Sequence, residues 1–182
     1  MREIEIKLRV KNLHDLEKRL AEKGCVISSP IAQHDVIYSK GGDVNAWKES
    51  KEGDVVLRIR HLASTAEFNL KQQKSSEMDN LEYETEVKDP AVLHNILLVL
   101  GYTPEVEVKK MRRKGKLGKY EVCLDEVEQL GTFIELETLT DEDVDPAKVR
   151  EDLFVELESL GLSRFDEETR GYDTQIYQLF QS

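Results

Sequence analysis

The sequence predicts an α+β domain in which eight antiparallel strands form a closed β-barrel and helices pack outside it. Within residues 1–10, charged and apolar side chains alternate strictly from Glu3 to Val10, which is the period of a strand with two different faces. Seven later segments repeat this alternation, and segments with helix-start signals and apolar stripes lie between them. With 182 residues, 39% of them hydrophobic, the chain can bury one core, so residues 1–182 are predicted to form a single domain.

The predicted strands are short segments bounded by glycines and polar turns. In chain order they are residues 1–10, 31–38, 55–61, 67–73, 81–87, 105–113, 120–127 and 132–138. Turns at residues 115–118 and 129–131 are predicted to join the last three strands. Residues 41–54 are polar and contain three glycines, which predicts a loop, and Trp47 within it is expected to pack against the body of the domain.

The predicted helices are marked at both ends. Asn12, Asp89 and Asp145 are N-cap residues, and proline follows at the first helical position in the last two cases. The glycines that end these helices are Gly24, Gly101 and Gly161. A last helical segment, residues 166–180, is interrupted at Gly171.

Composition excludes several classes of function. A net charge of -11 argues against a nucleic-acid partner and against a membrane-surface binder. There is no apolar run long enough to span a bilayer and no signal peptide, so a cytoplasmic location is expected. Cys25 and Cys123 lie far apart and are expected to be free thiols, and the scattered histidines argue against a zinc site.

The charged strand faces restrict how the sheet can be built. They cannot pack together in a dry interior, because burying so many unpaired charges would cost more free energy than folding provides. Either these faces point to solvent, or the sheet closes on itself around a wet, charged interior while helices cover its apolar outer face. The apolar helix stripes favour the closed arrangement, and an open sheet with helices on one side stays an alternative.

In the closed arrangement the inward side chains form a basic set and an acidic set. The basic set is Lys7, Arg58, Arg60, Lys71, Lys110 and Arg112. The acidic set is Glu3, Glu5, Glu82, Glu84, Asp125, Glu135 and Glu137. Guanidinium and ammonium groups around one cavity suit a polyphosphate, whose oxygens accept many charge-assisted hydrogen bonds. Clustered carboxylates suit the hard divalent cations that accompany such phosphates.

Motifs in this order resemble the CYTH family, the triphosphate tunnel metalloenzymes, over essentially the whole chain. The N-terminal Glu3-Ile-Glu5-Ile-Lys7 matches the Glu-x-Glu-x-Lys signature of that family. The supporting motifs are Leu57-Arg58-Ile-Arg60, Lys71, Lys110-Met-Arg112, Leu124-Asp125-Glu-Val127, Leu130-Gly131-Thr-Phe133-Ile-Glu135-Leu-Glu137 and Thr169-Arg170-Gly171-Tyr172. The sequence departs from many relatives at Asn80-Leu81, where they place an arginine before the fifth-strand glutamates.

The resemblance implies an eight-stranded tunnel, Mg²⁺ or Mn²⁺ as cofactor, and a small-molecule triphosphate as substrate. The compact members include class IV adenylyl cyclases, so the expected activity is either cyclisation of ATP to cyclic AMP or hydrolysis of a triphosphate. ATP, inorganic triphosphate and thiamine triphosphate all stay open as substrates, and a homodimer is a further expectation.

Roles for individual residues follow from this resemblance and from the chemistry of phosphoryl transfer, which depends on positioning and on charge neutralisation. The expected catalytic residues are Glu5, Lys7 and Arg112. The expected substrate-binding residues are Arg58, Arg60, Lys71, Lys110, Arg112 and Arg170. The expected metal ligands are Glu3, Glu5, Asp125, Glu135 and Glu137.

Three further expectations concern electrostatics. Mutual repulsion should raise the pKa of some of the clustered glutamates. Replacing Arg112 by alanine should reduce activity but leave folding nearly intact, since the interior is expected to be wet. Lys114, Lys116 and Lys119 should lie solvated in or beside a hairpin turn.

The alternatives to an enzyme are a non-catalytic polyphosphate-binding module and an acidic α+β domain whose strand charges have no role in binding.

Overall fold

The computed structural model describes residues 1–40 and 51–181, and in these ranges the chain forms eight β-strands and four α-helices. The strands are β1 (Arg2–Arg9), β2 (Ile31–Lys40), β3 (Val55–His61), β4 (Ala66–Ser76), β5 (Asp79–Val87), β6 (Tyr102–Leu117), β7 (Tyr120–Val127) and β8 (Gly131–Thr140). The helices are α1 (Leu13–Glu22), α2 (Pro90–Val99), α3 (Pro146–Ser159) and α4 (Tyr172–Gln181), with a 3₁₀ turn at Arg164–Asp166. The predicted α+β class is confirmed. Most of the predicted loop at residues 41–54, including Trp47, lies outside the described residues.

The eight strands are antiparallel neighbours in a ring, in the order β1-β5-β4-β3-β2-β6-β7-β8. The β1 strand pairs with β8 along its whole length and with β5 over only three residues, Arg2, Glu3 and Ile4. The ring therefore has one short seam, between β1 and β5. The seam lies next to Glu3 and Glu5, two of the predicted site residues.

The two faces of β1 separate as the alternation predicts. Ile4, Ile6 and Leu8 have at most 1% of their surface exposed and pack in a core with α1 and α3 on the outside of the ring. Burying side chains of this size contributes roughly 1.5–3 kcal/mol each to folding. Glu3, Glu5 and Lys7 lie on the other face, toward the interior of the ring. A one-residue slip of register would exchange the two sets, so the outer core fixes which charges point inward.

The three predicted N-caps are all present. The Asn12 side chain accepts a hydrogen bond from the Asp15 N–H at 3.2 Å. Asp89 and Asp145 accept in the same way from the N–H groups of Val92 and Ala147. These bonds satisfy N–H groups that have no partner within the helix, which is why the helices begin at these positions.

The predicted turn at residues 115–118 is shorter than expected, because β6 continues through Gly115 to Leu117. A neighbouring segment holds this part of the strand, with hydrogen bonds between the backbone of Lys114 and Ser28 at 2.8 and 3.0 Å. A Cβ atom at Gly115 would lie 2.8 Å from the Cys25 sulfur. Gly115 thus serves close packing and not a turn, and Lys114 lies in a strand. The Lys114 side chain is exposed, as expected, although the residue lies in β6 and not in the turn itself.

Two smaller features bear on the expectations from composition. Cys25 and Cys123 are free and buried, as expected. Among the helices of the described ranges, none has the length and apolarity needed to cross a membrane.

Candidate active site

The interior of the ring holds a cavity, here called the lumen, that is lined by both predicted charge sets with the exception of Asp125. Its basic lining residues are Lys7, Arg58, Arg60, Lys71, Lys110, Arg112 and Lys114. Its acidic lining residues are Glu3, Glu5, Asp35, Asp54, Glu77, Glu82, Glu84, Glu135, Glu137 and Asp173. Seven strands, the start of α4 and two connecting segments supply these side chains, so the site exists only in the assembled ring.

Some ion pairs in the lumen join residues that face each other across neighbouring strands. Arg60 on β3 lies opposite Asp35 on β2 and donates two hydrogen bonds of 2.8 Å to its carboxylate. Lys71 on β4 lies opposite Glu82 on β5, at 3.3 Å, and also bonds Glu3 at 2.8 Å. Such directly opposed charges stabilise the pairing of their strands.

Arg112 is the most heavily paired cation of the lumen. Its Nε donates to the Asp125 carboxylate at 2.8 Å, and its Nη2 bonds both Asp125 and Glu135. Only 6% of Arg112 is exposed and Asp125 is fully buried. Burial opposes the charge of Glu135, but Arg112 and Lys110 hold the pKa of Glu135 well below its usual range. This part of the lumen is shielded from solvent, unlike the wet interior that the sequence suggested. We therefore expect the removal of Arg112 to destabilise the fold, and not to leave folding nearly intact.

A second group of carboxylates has far less cationic compensation. Glu5 on β1 lies opposite Glu137 on β8, and carboxylate oxygens of Glu3, Glu5 and Glu137 all lie within 4.8 Å of one another. Burial and the neighbouring Glu135 raise the pKa of Glu5 to about 7, and burial and Glu3 raise the pKa of Glu137. The expected upward shifts thus occur at Glu5 and Glu137, while that of Glu135 goes down because Arg112 contacts it.

These three carboxylates, hereafter the acidic triad, have the chemistry of a site for a hard divalent cation. Carboxylate oxygens are the ligands that Mg²⁺ and Mn²⁺ prefer, and a cation would relieve the repulsion that raises their pKa values. Asp125, a predicted metal ligand, does not belong to this cluster, since its oxygens are occupied by Arg112 and lie 3.7 Å from Lys110.

Two lysines are buried in the lumen with weak compensation. Lys7 is 1% exposed, and in the described ranges its Nζ has a contact with the Met78 sulfur at 3.7 Å and none with a carboxylate within 4.0 Å. Burial and the adjacent Arg112 lower the pKa of Lys110 to about 8. Lys110 has one carboxylate nearby, that of Asp125 at 3.7 Å, which also pairs with Arg112. A buried ammonium group with little or no negative charge beside it is costly, so these lysines are suited to bind an anionic substrate.

Arg170 does not reach the lumen. Its guanidinium bonds Glu168 with two hydrogen bonds of 2.8 Å and Gln178 with another, on the outside of the ring. The lumen-facing part of this C-terminal motif is Gly171 and Tyr172. Tyr172, and not the expected Arg170, therefore brings the side chain of this motif into the site.

Among the lumen residues that the sequence did not predict are Asp35, Lys114 and Tyr172. Asp35 lies on β2, whose inward face also carries Ile37. Because of this apolar residue, charged and apolar side chains do not alternate along β2, and its inward face cannot be recognised from the sequence. Lys114 follows Lys110 and Arg112 at intervals of two, which was the available signal, but the adjacent glycine suggested a turn. Tyr172 lies at the start of α4, and its contact with the lumen depends on how that helix packs.

Comparison with known proteins agrees with this architecture. The family model described as CYTH domain matches residues 1–172. A relative from Methanocaldococcus jannaschii, named "Putative adenylate cyclase", is 29% identical over 90% of this chain and 92% of its own. A solved structure from Pyrococcus horikoshii OT3 is 25% identical, with a TM-score of 0.79, and covers 96% of this chain and 98% of that one. A second, from Vibrio parahaemolyticus, shares the fold at 20% identity with a TM-score of 0.80, covering 99% and 98%.

The family match runs from the N-terminal glutamates to Tyr172 and so includes every strand of the ring. The chain belongs to the CYTH domain family.

Proposed function

We propose that this protein is a divalent-metal-dependent enzyme that cleaves or cyclises a triphosphate-bearing small molecule held in the lumen. The observation that carries this proposal is an imbalance of charge within one cavity. Among the described residues, Glu5 and Glu137 of the acidic triad have no cation within 4.0 Å, and Lys71 bonds the third member, Glu3. Of the two buried lysines, Lys7 has no carboxylate from the described ranges within 4.0 Å, and Lys110 has Asp125 at 3.7 Å. Each group lacks what a metal–triphosphate complex brings: a cation for the carboxylates and an anion for the lysines.

The chain's own residues would divide the work by position. Lys7, Arg58, Lys71 and Lys110 would bind phosphate oxygens and neutralise charge in the transition state. Arg60 is paired with Asp35, and Arg112 with Asp125 and Glu135. These two arginines would add positive potential and keep the neighbouring strands in register. Glu3, Glu5 and Glu137 would hold Mg²⁺ or Mn²⁺, which when bound supplies a Lewis acid for the phosphate and lowers the pKa of the attacking hydroxyl.

A non-catalytic polyphosphate-binding module fits the site less well. Such a module needs the cations, but it gains nothing from three carboxylates that repel one another and the anionic ligand. The 29% identical relative named for adenylate cyclase supports an enzyme. Hydrolysis and cyclisation use the same cationic cradle and differ in the attacking group, water in one case and a ribose hydroxyl in the other.

The test is an assay of phosphate release and cyclic AMP formation with inorganic triphosphate, ATP and thiamine triphosphate, each with Mg²⁺ or Mn²⁺. We expect metal-dependent turnover of at least one of them, abolished by chelation. Glu86→Gln is a matched control for changes in the acidic triad, since Glu86 lies exposed at the end of β5 outside the lumen. Absence of turnover with every combination, in protein that binds triphosphate, would make the protein a binding module.

A further inference from the structure

The Tyr172 side chain has an unusual position for a buried aromatic residue. It is 8% exposed, and the Nζ atoms of Lys7 and Lys110 lie 4.4 and 5.0 Å from the centre of its ring. An ammonium group this close to an aromatic ring is attracted by the negative face of the ring quadrupole, and the attraction is strongest where water is excluded. Tyr172 is thus a neutral group that contacts both of the poorly compensated lysines.

The hydroxyl group of Tyr172 does not explain this position. It is buried and makes no hydrogen bond of standard geometry within the described part of the chain. It lies near enough to Glu135 to help lower the pKa of that carboxylate, after the larger effects of burial, Arg112, Lys110 and Lys7. A tyrosine kept for its hydroxyl would be expected to have a hydrogen-bond partner when buried.

The ring is held in place from two sides. Phe133 on β8 contacts it edge-on, with ring centres 5.1 Å apart. Glu77, in the turn between β4 and β5, accepts hydrogen bonds from the Gly171 N–H at 2.6 Å and from the Thr174 hydroxyl at 2.9 Å. These bonds cap the start of α4, so the turn that also carries Met78 fixes where Tyr172 enters the lumen.

Gly171 is part of the same arrangement. A Cβ atom at this position would lie 2.2 Å from the Asp173 carboxylate and 3.3 Å from the Glu77 carboxylate. The absence of a side chain therefore leaves room for the Asp173 and Glu77 carboxylates beside the backbone.

We propose that Tyr172 is a positioning residue, which holds the Lys7 and Lys110 ammonium groups in the lumen through its ring and not through its hydroxyl. The inference rests on the proposed function, since the two lysines are taken to bind the triphosphate. The ring serves better than a carboxylate would, because it stabilises the ammonium groups without forming an ion pair that the substrate must break. The lysines stay ordered and available for phosphate oxygens.

The test compares two substitutions with opposite expectations. Tyr172→Phe keeps the ring and should bind inorganic triphosphate, in calorimetry with chelator present, within about twofold of wild type. Tyr172→Leu removes the ring and should weaken this binding by about tenfold or more, the combined loss of two buried cation–π contacts. In steady-state assays Tyr172→Leu should change the triphosphate parameters and leave the half-saturating concentration of Mn²⁺ unchanged, because the acidic triad is untouched. General damage to the fold would shift both.

Tyr120→Leu is the matched control. Lys119 lies 5.1 Å from the Tyr120 ring at the turn between β6 and β7, and Tyr120 packs against the outer core. The substitution thus removes the same kind of contact outside the lumen, and triphosphate binding should stay at the wild-type value.

The outcomes separate the two proposals. Equal binding by wild type and Tyr172→Leu overturns the role of the ring, and so does a loss in Tyr172→Phe as large as that in Tyr172→Leu. If wild type binds triphosphate and depends on the ring but turns over no substrate, the enzyme proposal fails and the positioning role stands. If wild type does not bind triphosphate at all, both fail.

Discussion

Arg2 and Asp79 form a buried, doubly hydrogen-bonded ion pair across the seam between β1 and β5. The Nε and Nη2 atoms of Arg2 each lie 2.7 Å from a carboxylate oxygen of Asp79. The same two strands share only three register positions, whereas β1 and β8 share eight. The pair therefore compensates for a short backbone ladder at the point where the ring is completed, next to the acidic triad.

Breaking this pair should destabilise the fold strongly. Arg2→Met leaves the fully buried Asp79 without its cation, and loss of one partner of a buried pair typically costs about 3–5 kcal/mol. The double variant Arg2→Met/Asp79→Leu should recover much of this loss, since no charge then stays buried. Urea unfolding measures both. A loss below about 1 kcal/mol in the single variant would contradict the importance of the seam.

The same carboxylate should make stability depend on acid. Burial opposes ionisation of Asp79, but hydrogen bonds from Arg2 and Ser75 hold its pKa below the usual value of an aspartate. As the pH falls, the unfolded chain therefore takes up this proton before the folded chain does. The contribution is fully present above about pH 4 and is lost at lower pH.

Wild type should thus lose more unfolding free energy than the Arg2→Met/Asp79→Leu variant between about pH 5 and pH 2.5. The other carboxylates are the same in both proteins, so the difference isolates Asp79. Parallel pH curves for the two proteins would show that Asp79 titrates normally.

Arg58 and Arg112 should differ in what their removal costs. Arg58 has 17% of its side chain exposed and donates a hydrogen bond of 3.2 Å to the Asn69 side chain. Its ion pairs are long, 3.7 Å to Asp35 and 3.5 Å to Glu82, and both carboxylates keep another cation. Arg58→Ala should lower kcat/KM by about 10- to 100-fold, the loss of one or two charged hydrogen bonds to phosphate, with little change in stability. Arg58→Lys should restore only part of this, since the planar fork is lost.

Arg112→Ala should instead reduce both activity and stability, the latter by about 3–5 kcal/mol, because Asp125 and Glu135 lose their main cation in a dry environment. Activity assays and thermal unfolding of the two alanine variants make the comparison, with Lys116→Ala as an exposed control on β6. Equal stability of the Arg58 and Arg112 variants would contradict the difference between the partly exposed surroundings of Arg58 and the buried surroundings of Arg112.

Glu137→Gln should have opposite effects with and without metal. Without metal it removes one of three carboxylates that repel one another, so the melting temperature should stay unchanged or rise. With triphosphate and Mn²⁺ the stabilisation seen in wild type should shrink, and half-saturation should need about tenfold more Mn²⁺. Glu86→Gln should behave as wild type in both measurements. A normal response of Glu137→Gln to Mn²⁺ would remove Glu137 from the metal site.

Lys114 should affect binding although Lys116 and Lys119 do not. Lys114 lies in β6 and lines the lumen, while its ammonium bonds Glu121. Lys114→Met should weaken triphosphate binding by about two- to fivefold, as expected for a partly exposed charge. Lys116→Met should not change binding measurably. Calorimetric titration with inorganic triphosphate at low and high salt tests this, and the Lys114 effect should shrink at high salt.

The sequence by itself determined which side of each strand is charged and where the helices begin. Successive side chains of a strand point to opposite faces, and the apolar side chains of Ile4, Ile6 and Leu8 must be buried under the helices. The local sequence therefore determines that Glu3, Glu5 and Lys7 point inward. Asn12, Asp89 and Asp145 mark helix starts because their side chains bond N–H groups within three residues. These are short-range interactions, and short-range interactions can be predicted from neighbours in the chain.

The tertiary structure alone decided which charges meet and which stay unpaired. Arg112 is neutralised by Asp125 and Glu135, whereas Lys7 lies against Tyr172, a residue far away in the sequence. Such partners are set by the order and register of the strands and by the packing of α4, and these depend on contacts between distant segments. An interaction between two charges has a far larger free energy where water is excluded than where the charges are solvated. The sequence therefore predicts which charges line the lumen, but not the free energies of their interactions.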